Sequence, residues 1–243
     1  MLIIPAIDIR EGKVVRLRQG DFNRVTEYFS DPVIVAKKWQ DKGAQLIHVV
    51  DLDGAKAGKM QNISLILAII KSLKIPVQVG GGIREQEEIK TLLDGGAKRV
   101  ILGTKAVEDK EFLKVVLSKW KDKIAVSVDC SNGFVSERGW TETSSIKGID
   151  FVKDLEKLGV KCIIYTDISR DGMLGGPNYT ALKELLKTSK INIIASGGVS
   201  DINDIKKFLK IKKKNLLGVI TGRAIYEGKL DLKEALKLCS KKG

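Results

Sequence analysis

Asp8, in "AIDIR", and Asp129, in "SVDC", each close an apolar run in a chain that holds a single histidine, so acid-base chemistry falls to carboxylates. Two carboxylates in different surroundings can keep separated pKa values, one giving a proton while the other takes one. Two glycine clusters accompany them: "VGGGIR" from Val79 and "ASGGVS" from Ala195, 116 residues later (195 − 79). Each follows an apolar strand and precedes an amphipathic segment. Glycines so placed let backbone N–H groups approach an anion closely, and the helix start adds partial positive charge, which is the chemistry of a phosphate cradle.

The clusters have companions. Gly103 with Thr104, in "GTKAV", and Gly222 with Arg223, in "GRAIY", end two further apolar runs. Gly80, Gly81 and Gly82 with Gly103 and Thr104 would hold one phosphate; Gly197 and Gly198 with Gly222 and Arg223 would hold a second. A ligand with a phosphate at each end fits that arrangement. Thr166, in "YTDISRDG", stands where it could hydrogen-bond the reacting part of a substrate, and Arg84 and Arg18 offer planar donors to anionic or polar groups. The bland alternatives are tight turns for the glycines, helix capping for the aspartates and surface charge for the arginines. His48, in "LIHVVDLDG", reads as a packed strand residue rather than a base or ligand.

Eight strand-helix units must position these residues. Candidate strands are "LIIPAIDI", "AQLIHVVDL", "PVQVG", "AKRVILG", "KIAVSVDC", "KCIIYTDI", "INIIASG" and "LLGVITG"; helices are expected to begin near Pro32, Asn62, Glu85, Asp109, Ile146, Asn178, Asp201 and Asp231. Near-continuous apolar strands argue for burial on both faces. Eight such units in 243 residues predict a single TIM-barrel domain, an α/β (β/α)8 fold with its site at the C-terminal ends of the strands. A doubly wound sheet is the second choice. Residues 10–31 and 130–145 form long connections with hairpin-like content, and loops of that length tend to be functional.

The motifs recur in order. Asp8 echoes Asp129, Asp51 echoes Asp167, the glycine clusters echo each other, and "GTKAV" echoes "GRAIY". Two fused half-barrels, about residues 1–121 and 122–243, are therefore expected. Asp8 and Asp129 would then face each other across the mouth, between the two cradles.

Composition narrows the class. Hydrophobic residues at 43% and charged residues at 30% describe a globular chain. No apolar stretch approaches the roughly 18 residues of a membrane span, and the first apolar run is too short for a signal peptide, so a cytoplasmic protein without a membrane partner is expected. Cys130, Cys162 and Cys239 lack metal-ligand or disulfide spacing. The net charge of +13 comes largely from lysines near helix ends, as in "LKIKKKN", without the interleaved aromatics of a nucleic-acid platform. No nucleic-acid partner is expected.

The segments "IPAIDIREGKVVRLRQGD", "HVVDLDGAKAGKMQN", "PVQVGGGIR", "GTKAV", "SVDC", "GW", "YTDISRDGMLGGPN", "ASGGVS" and "TGRAIYEG" together resemble the ProFAR isomerase family of histidine biosynthesis, over nearly the whole chain. The resemblance implies a monomeric, cofactor-free and metal-free TIM barrel that converts an aminoaldose into an aminoketose by an Amadori rearrangement of a substrate with two phosphates. It implies Asp8 as general base, Asp129 as general acid and Thr166 as the residue orienting the opened sugar. Asp171, Gly172 and Arg18 would contribute loop contacts on closure. Three alternatives share parts of the pattern: a bifunctional enzyme that also isomerises phosphoribosylanthranilate, the cyclase subunit of imidazole glycerol phosphate synthase, and a non-catalytic phosphate-binding barrel.

Overall fold

Along the first strand, β1 (Leu2–Arg10), Ile3, Ile7 and Ile9 belong to one buried cluster and Ile4 and Ala6 to another. A strand buried on both faces separates two cores, one between sheet and helices and one inside a closed barrel. The computed structural model describes residues 1–240. After β1 the chain makes a hairpin of β2 (Lys13–Arg18) and β3 (Asp21–Phe29), then continues through β4 (Ile47–Asp51), β5 (Val77–Gly80), β6 (Arg99–Leu102) and β7 (Ile124–Ser131). A second hairpin, β8 (Phe134–Glu137) and β9 (Glu142–Lys147), precedes β10 (Cys162–Asp167), β11 (Asn192–Ser196) and β12 (Leu216–Thr221). Strands β1, β4, β5, β6, β7, β10, β11 and β12 pair in parallel in that order, and β12 returns to β1. The result is a closed (β/α)8 TIM barrel, as the strand-helix alternation predicts.

The outer layer consists of α1 (Pro32–Asp41), α2 (Leu52–Ala57), α3 (Ile63–Ser72), α4 (Gln86–Asp94), α5 (Thr104–Glu108), α6 (Lys110–Trp120), α7 (Gly148–Lys157), α8 (Tyr179–Thr188), α9 (Ile202–Lys210), α10 (Arg223–Tyr226) and α11 (Leu232–Ser240). Polar caps fix several starts: Asp31, Asp109, Asn178 and Asp201 each accept backbone N–H groups of the first helical turn. One expected start moves. Ile146 lies in β9 and the helix begins at Gly148, because the second hairpin carries its pairing, Phe134 opposite Lys147, to the edge of the helix.

Inside the barrel Ile4, Ala6, Leu46, Ile101, Ala125, Cys162, Ile164, Ile194 and Ile220 form the apolar filling. One polar string crosses it: Gln78 Nε2 lies 3.0 Å from His48 Nδ1, and Arg99 Nη1 donates to Gln78 Oε1 and Cys162 Sγ, each at 3.2 Å. His48 is thus a packed residue whose ring burial holds neutral, its pKa pushed down to about 3 with Arg16 adding to the effect. No helix of the described residues is long and apolar enough to cross a membrane.

Matching residues of the two sequence echoes adopt matching geometry. Asp51 and Asp167 both end barrel strands, and each accepts a side-chain amide, from Asn62 at 2.8 Å and from Asn178 at 2.7 Å. Gly103 and Gly222 share an unusual backbone conformation, φ −103°, ψ −114° and φ −122°, ψ −94°, immediately before a short helix.

Candidate active site

The period-two alternation that fills the barrel also sets its mouth. Continuing inward from Ile4 and Ala6 brings up Asp8; inward from Ala125 come Ser127 and Asp129; inward from Cys162 and Ile164 comes Thr166. These side chains line a cavity of about 200 Å3 at the C-terminal ends of the strands, together with Gly81, Gly82, Arg84, Gly103, Thr104 and Asp171. Since β1 and β7 are first and fifth in the barrel order, Asp8 and Asp129 approach from opposite sides. Asp129 and Thr166 are register partners on adjacent strands.

The two carboxylates sit in different electrostatic surroundings. Asp8 Oδ2 is 2.7 Å from Arg16 Nη1, a buried ion pair on the first hairpin. Burial pushes the Asp8 pKa up to about 6; the Arg16 charge pulls it down and the Asp171 carboxylate pushes it up further. Among the described residues, no cation forms an ion pair with Asp129. Ser127 Oγ donates to its Oδ2 at 2.8 Å, while its Oδ1 is buried and accepts no hydrogen bond from the described residues. Burial raises the Asp129 pKa, opposed by the Thr166 hydroxyl, the Trp140 indole and Ser127. Asp171 is also raised by burial, with Arg16 opposing.

Backbone geometry explains the glycines. Gly81 (φ 100°) and Gly82 (φ 73°) adopt conformations that side chains disfavour, and a β-carbon on either would overlap the backbone of Asp51 or Gly54. Gly197 (φ 90°) and Gly198 (φ 87°) repeat the arrangement against Asp167 and Gly176. This second cluster, with Gly172, Gly222 and Arg223, lines a separate small cavity of about 20 Å3, which Arg16 and Asp171 also reach. One glycine cluster thus lines the same cavity as the carboxylates and its counterpart lines a small neighbouring recess. Among the described residues, no group of three or more His, Cys, Asp or Glu side chains is arranged to hold a metal ion.

A model of a family described as histidine biosynthesis protein matches residues 2–231. The chain belongs to that family. A relative from Ruminiclostridium cellulolyticum is 52% identical over 97% of this chain and 99% of its own length, and is named 1-(5-phosphoribosyl)-5-((5-phosphoribosylamino)methylideneamino)imidazole-4-carboxamide isomerase. Relatives bearing the same name from Oceanobacillus iheyensis, at 49% identity over 98% of each chain, and from Thermoanaerobacter pseudethanolicus, at 50% over 98% of this chain and 99% of theirs, are similarly close.

Within this member of the histidine biosynthesis family, the residues expected at the site divide into three groups. Asp8, Asp129, Thr166, Gly81, Gly82, Arg84, Gly103, Thr104 and Asp171 line the main cavity; Gly172, Gly197, Gly198, Gly222 and Arg223 line the smaller one with Asp171. Arg18 lies outside both, its Nε 3.4 Å from Met173 Sδ. The register irregularity beside Arg18 places the extra residues on β3, which passes from Val25 opposite Leu17 to Asp21 opposite Arg18, and Arg18 is exposed at the end of β2. Arg16, Ser127, Ser136 and Trp140 line the cavity without having been singled out as site residues. Period-two counting from Asp129 would have found Ser127. Trp140 arrives between the two strands of the second hairpin, and its ring lies against Gly20, joining the two long loops.

Proposed function

We propose that this chain catalyses the rearrangement its relatives are named for, converting the phosphoribosylamino aminoaldose ProFAR into its aminoketose isomer in histidine biosynthesis. The observation that carries the proposal is the opposed pair Asp8 and Asp129 in one cavity, which one glycine cluster also lines while its repeat lines the neighbouring recess. Asp129, with no cation to favour its anion, gives its proton to the ribose ring oxygen as the C1–O bond breaks and a Schiff base forms. Asp8, held as an anion beside Arg16, removes the proton from C2. The enolamine then takes a proton at C1 while its C2 hydroxyl gives one up, which leaves the C2 carbonyl of the ketose and restores the proton balance, and no electron leaves the substrate. Thr166, beside Asp129, orients the opened sugar.

Gly81, Gly82, Gly103 and Thr104 hold one phosphate in this reading, and Gly197, Gly198, Gly222 and Arg223 the other, each half of the chain, about 1–121 and 122–243, supplying one cradle. Arg84 binds beside the first phosphate; Asp171 and Gly172 contribute from the loop after β10. The enzyme works as a cytoplasmic monomer on a small bisphosphorylated molecule. Steady-state turnover of ProFAR by the native chain, Asp8→Asn and Asp129→Asn tests this, with phosphoribosylanthranilate in parallel. Both variants are expected to fold and to lose about 100-fold or more in kcat, the usual share of a general acid or base. A native chain inactive on ProFAR sinks the proposal.

A further inference from the structure

Arg16 stands between the two cavities and lines both. It comes from β2, and its guanidinium packs so closely over Gly222 that a β-carbon there would overlap it. Of its five N–H donors, one meets Asp8 at 2.7 Å and another faces Asp171 at 3.9 Å, while Nε is buried with no partner among the described residues. The other cation of the smaller cavity is less free. Arg223 already donates through Nε to Glu227 and through Nη1 to the Gly172 carbonyl.

We propose that Arg16 is a positioning residue shared between Asp8 and a substrate phosphate: phosphate seated against Gly197, Gly198 and Gly222 draws the guanidinium from Asp8, so the base gains strength only when substrate is bound. A phosphate carries more charge than a carboxylate and presents three acceptor oxygens, which suits the planar guanidinium fork and its unspent donors. Before binding, the Asp8–Arg16 pair keeps a buried carboxylate ionised. After binding, Asp8 keeps its desolvated site with less of its counter-ion, and its appetite for the C2 proton rises. The inference rests on the proposed role of Asp8 as base.

Several groups face Asp8. Arg16 comes from β2, Asp171 from the loop after β10, His48 from β4, Tyr226 from α10 with its hydroxyl on the Ala6 carbonyl, and Asp129 lies across the cavity. Tyr28 on β3 adds to the field at Arg16. Asp171 and Asp129 can titrate alongside Asp8, so the readout must be residue-specific.

The full chain is labelled with carboxyl-13C aspartate, the Asp8 resonance is assigned by its loss in Asp8→Asn, and its midpoint is followed with inorganic phosphate or with chloride at matched ionic strength. In the native chain, phosphate is expected to raise the Asp8 midpoint by about one pH unit or more, the usual effect of losing an adjacent opposite charge. In Arg16→Met the midpoint starts high and phosphate moves it by only a small fraction of that; Arg16→Lys responds partially, having charge but no fork. An Asp8 midpoint that phosphate leaves in place in the native chain, or moves equally in Arg16→Met, overturns the inference. ProFAR turnover of the same samples separates the two readings, since an active enzyme with a phosphate-insensitive Asp8 loses only the coupling.

Discussion

Asp51 and Asp167 occupy equivalent posts in the barrel, each taking a side-chain amide from an asparagine eleven residues farther on. Asp51 is wholly buried, and its carboxylate also accepts the backbone N–H groups of Gly54, Gln61 and Asn62. Replacing it with asparagine turns two acceptor positions toward donors. Asp51→Asn is expected to lower unfolding stability by about 3 kcal/mol, as in other cases where buried donors lose a charged partner. Urea denaturation, with unchanged m-value, checks it.

The pH dependence of catalysis follows from Asp8. A base must be ionised to act, so kcat/KM is expected to rise through an acid limb near pH 6, the value at which burial places this carboxylate. Stability runs the other way. Between about pH 4 and pH 6 the native state holds a proton that the unfolded chain has released, so this group's contribution falls as pH rises through that window. Thermal unfolding across that range, compared with Asp8→Asn, isolates the contribution.

Ser127 should tune Asp129. Its hydroxyl supplies a hydrogen bond to the charged form, so Ser127→Ala is expected to raise the Asp129 midpoint by about one pH unit or less. A basic limb of the kcat profile shifted upward, with KM nearly unchanged, is the expected signature. A change in KM alone would assign Ser127 to binding instead.

Two glycine substitutions separate strain from steric overlap. Gly12 has φ 74° and open space around it, whereas Gly81 combines φ 100° with close approach of the Asp51 backbone. Gly12→Ala is therefore expected to cost about 1 kcal/mol and leave KM unchanged, while Gly81→Ala costs more than about 2 kcal/mol and raises KM for a phosphorylated substrate. Chemical denaturation and steady-state kinetics of the pair decide this.

The barrel was legible because its strands are apolar on both faces and its helices open on cap residues such as Asp109, Asn178 and Asp201. The strand-end aspartates were legible because Asp8 lies one alternation beyond Ala6 and Asp129 two beyond Ala125, and the glycines because they directly follow packed strands. Arg16 and Trp140 were not. Both sit on hairpins inserted between barrel strands, where register irregularities, between Val14 and Val15 and between Leu17 and Arg18 in one and between Phe134 and Ser136 in the other, break simple counting along the chain. The pairing of β8 with β9 runs to Lys147, so the helix expected near Ile146 begins at Gly148.

His48, locked beside Gln78 in the barrel floor, is the chain's one imidazole. In the proposed mechanism none of the proton transfers passes through it, and the reaction belongs to the route by which cells make histidine. Each copy translated therefore consumes a single molecule of the amino acid whose scarcity calls for the pathway.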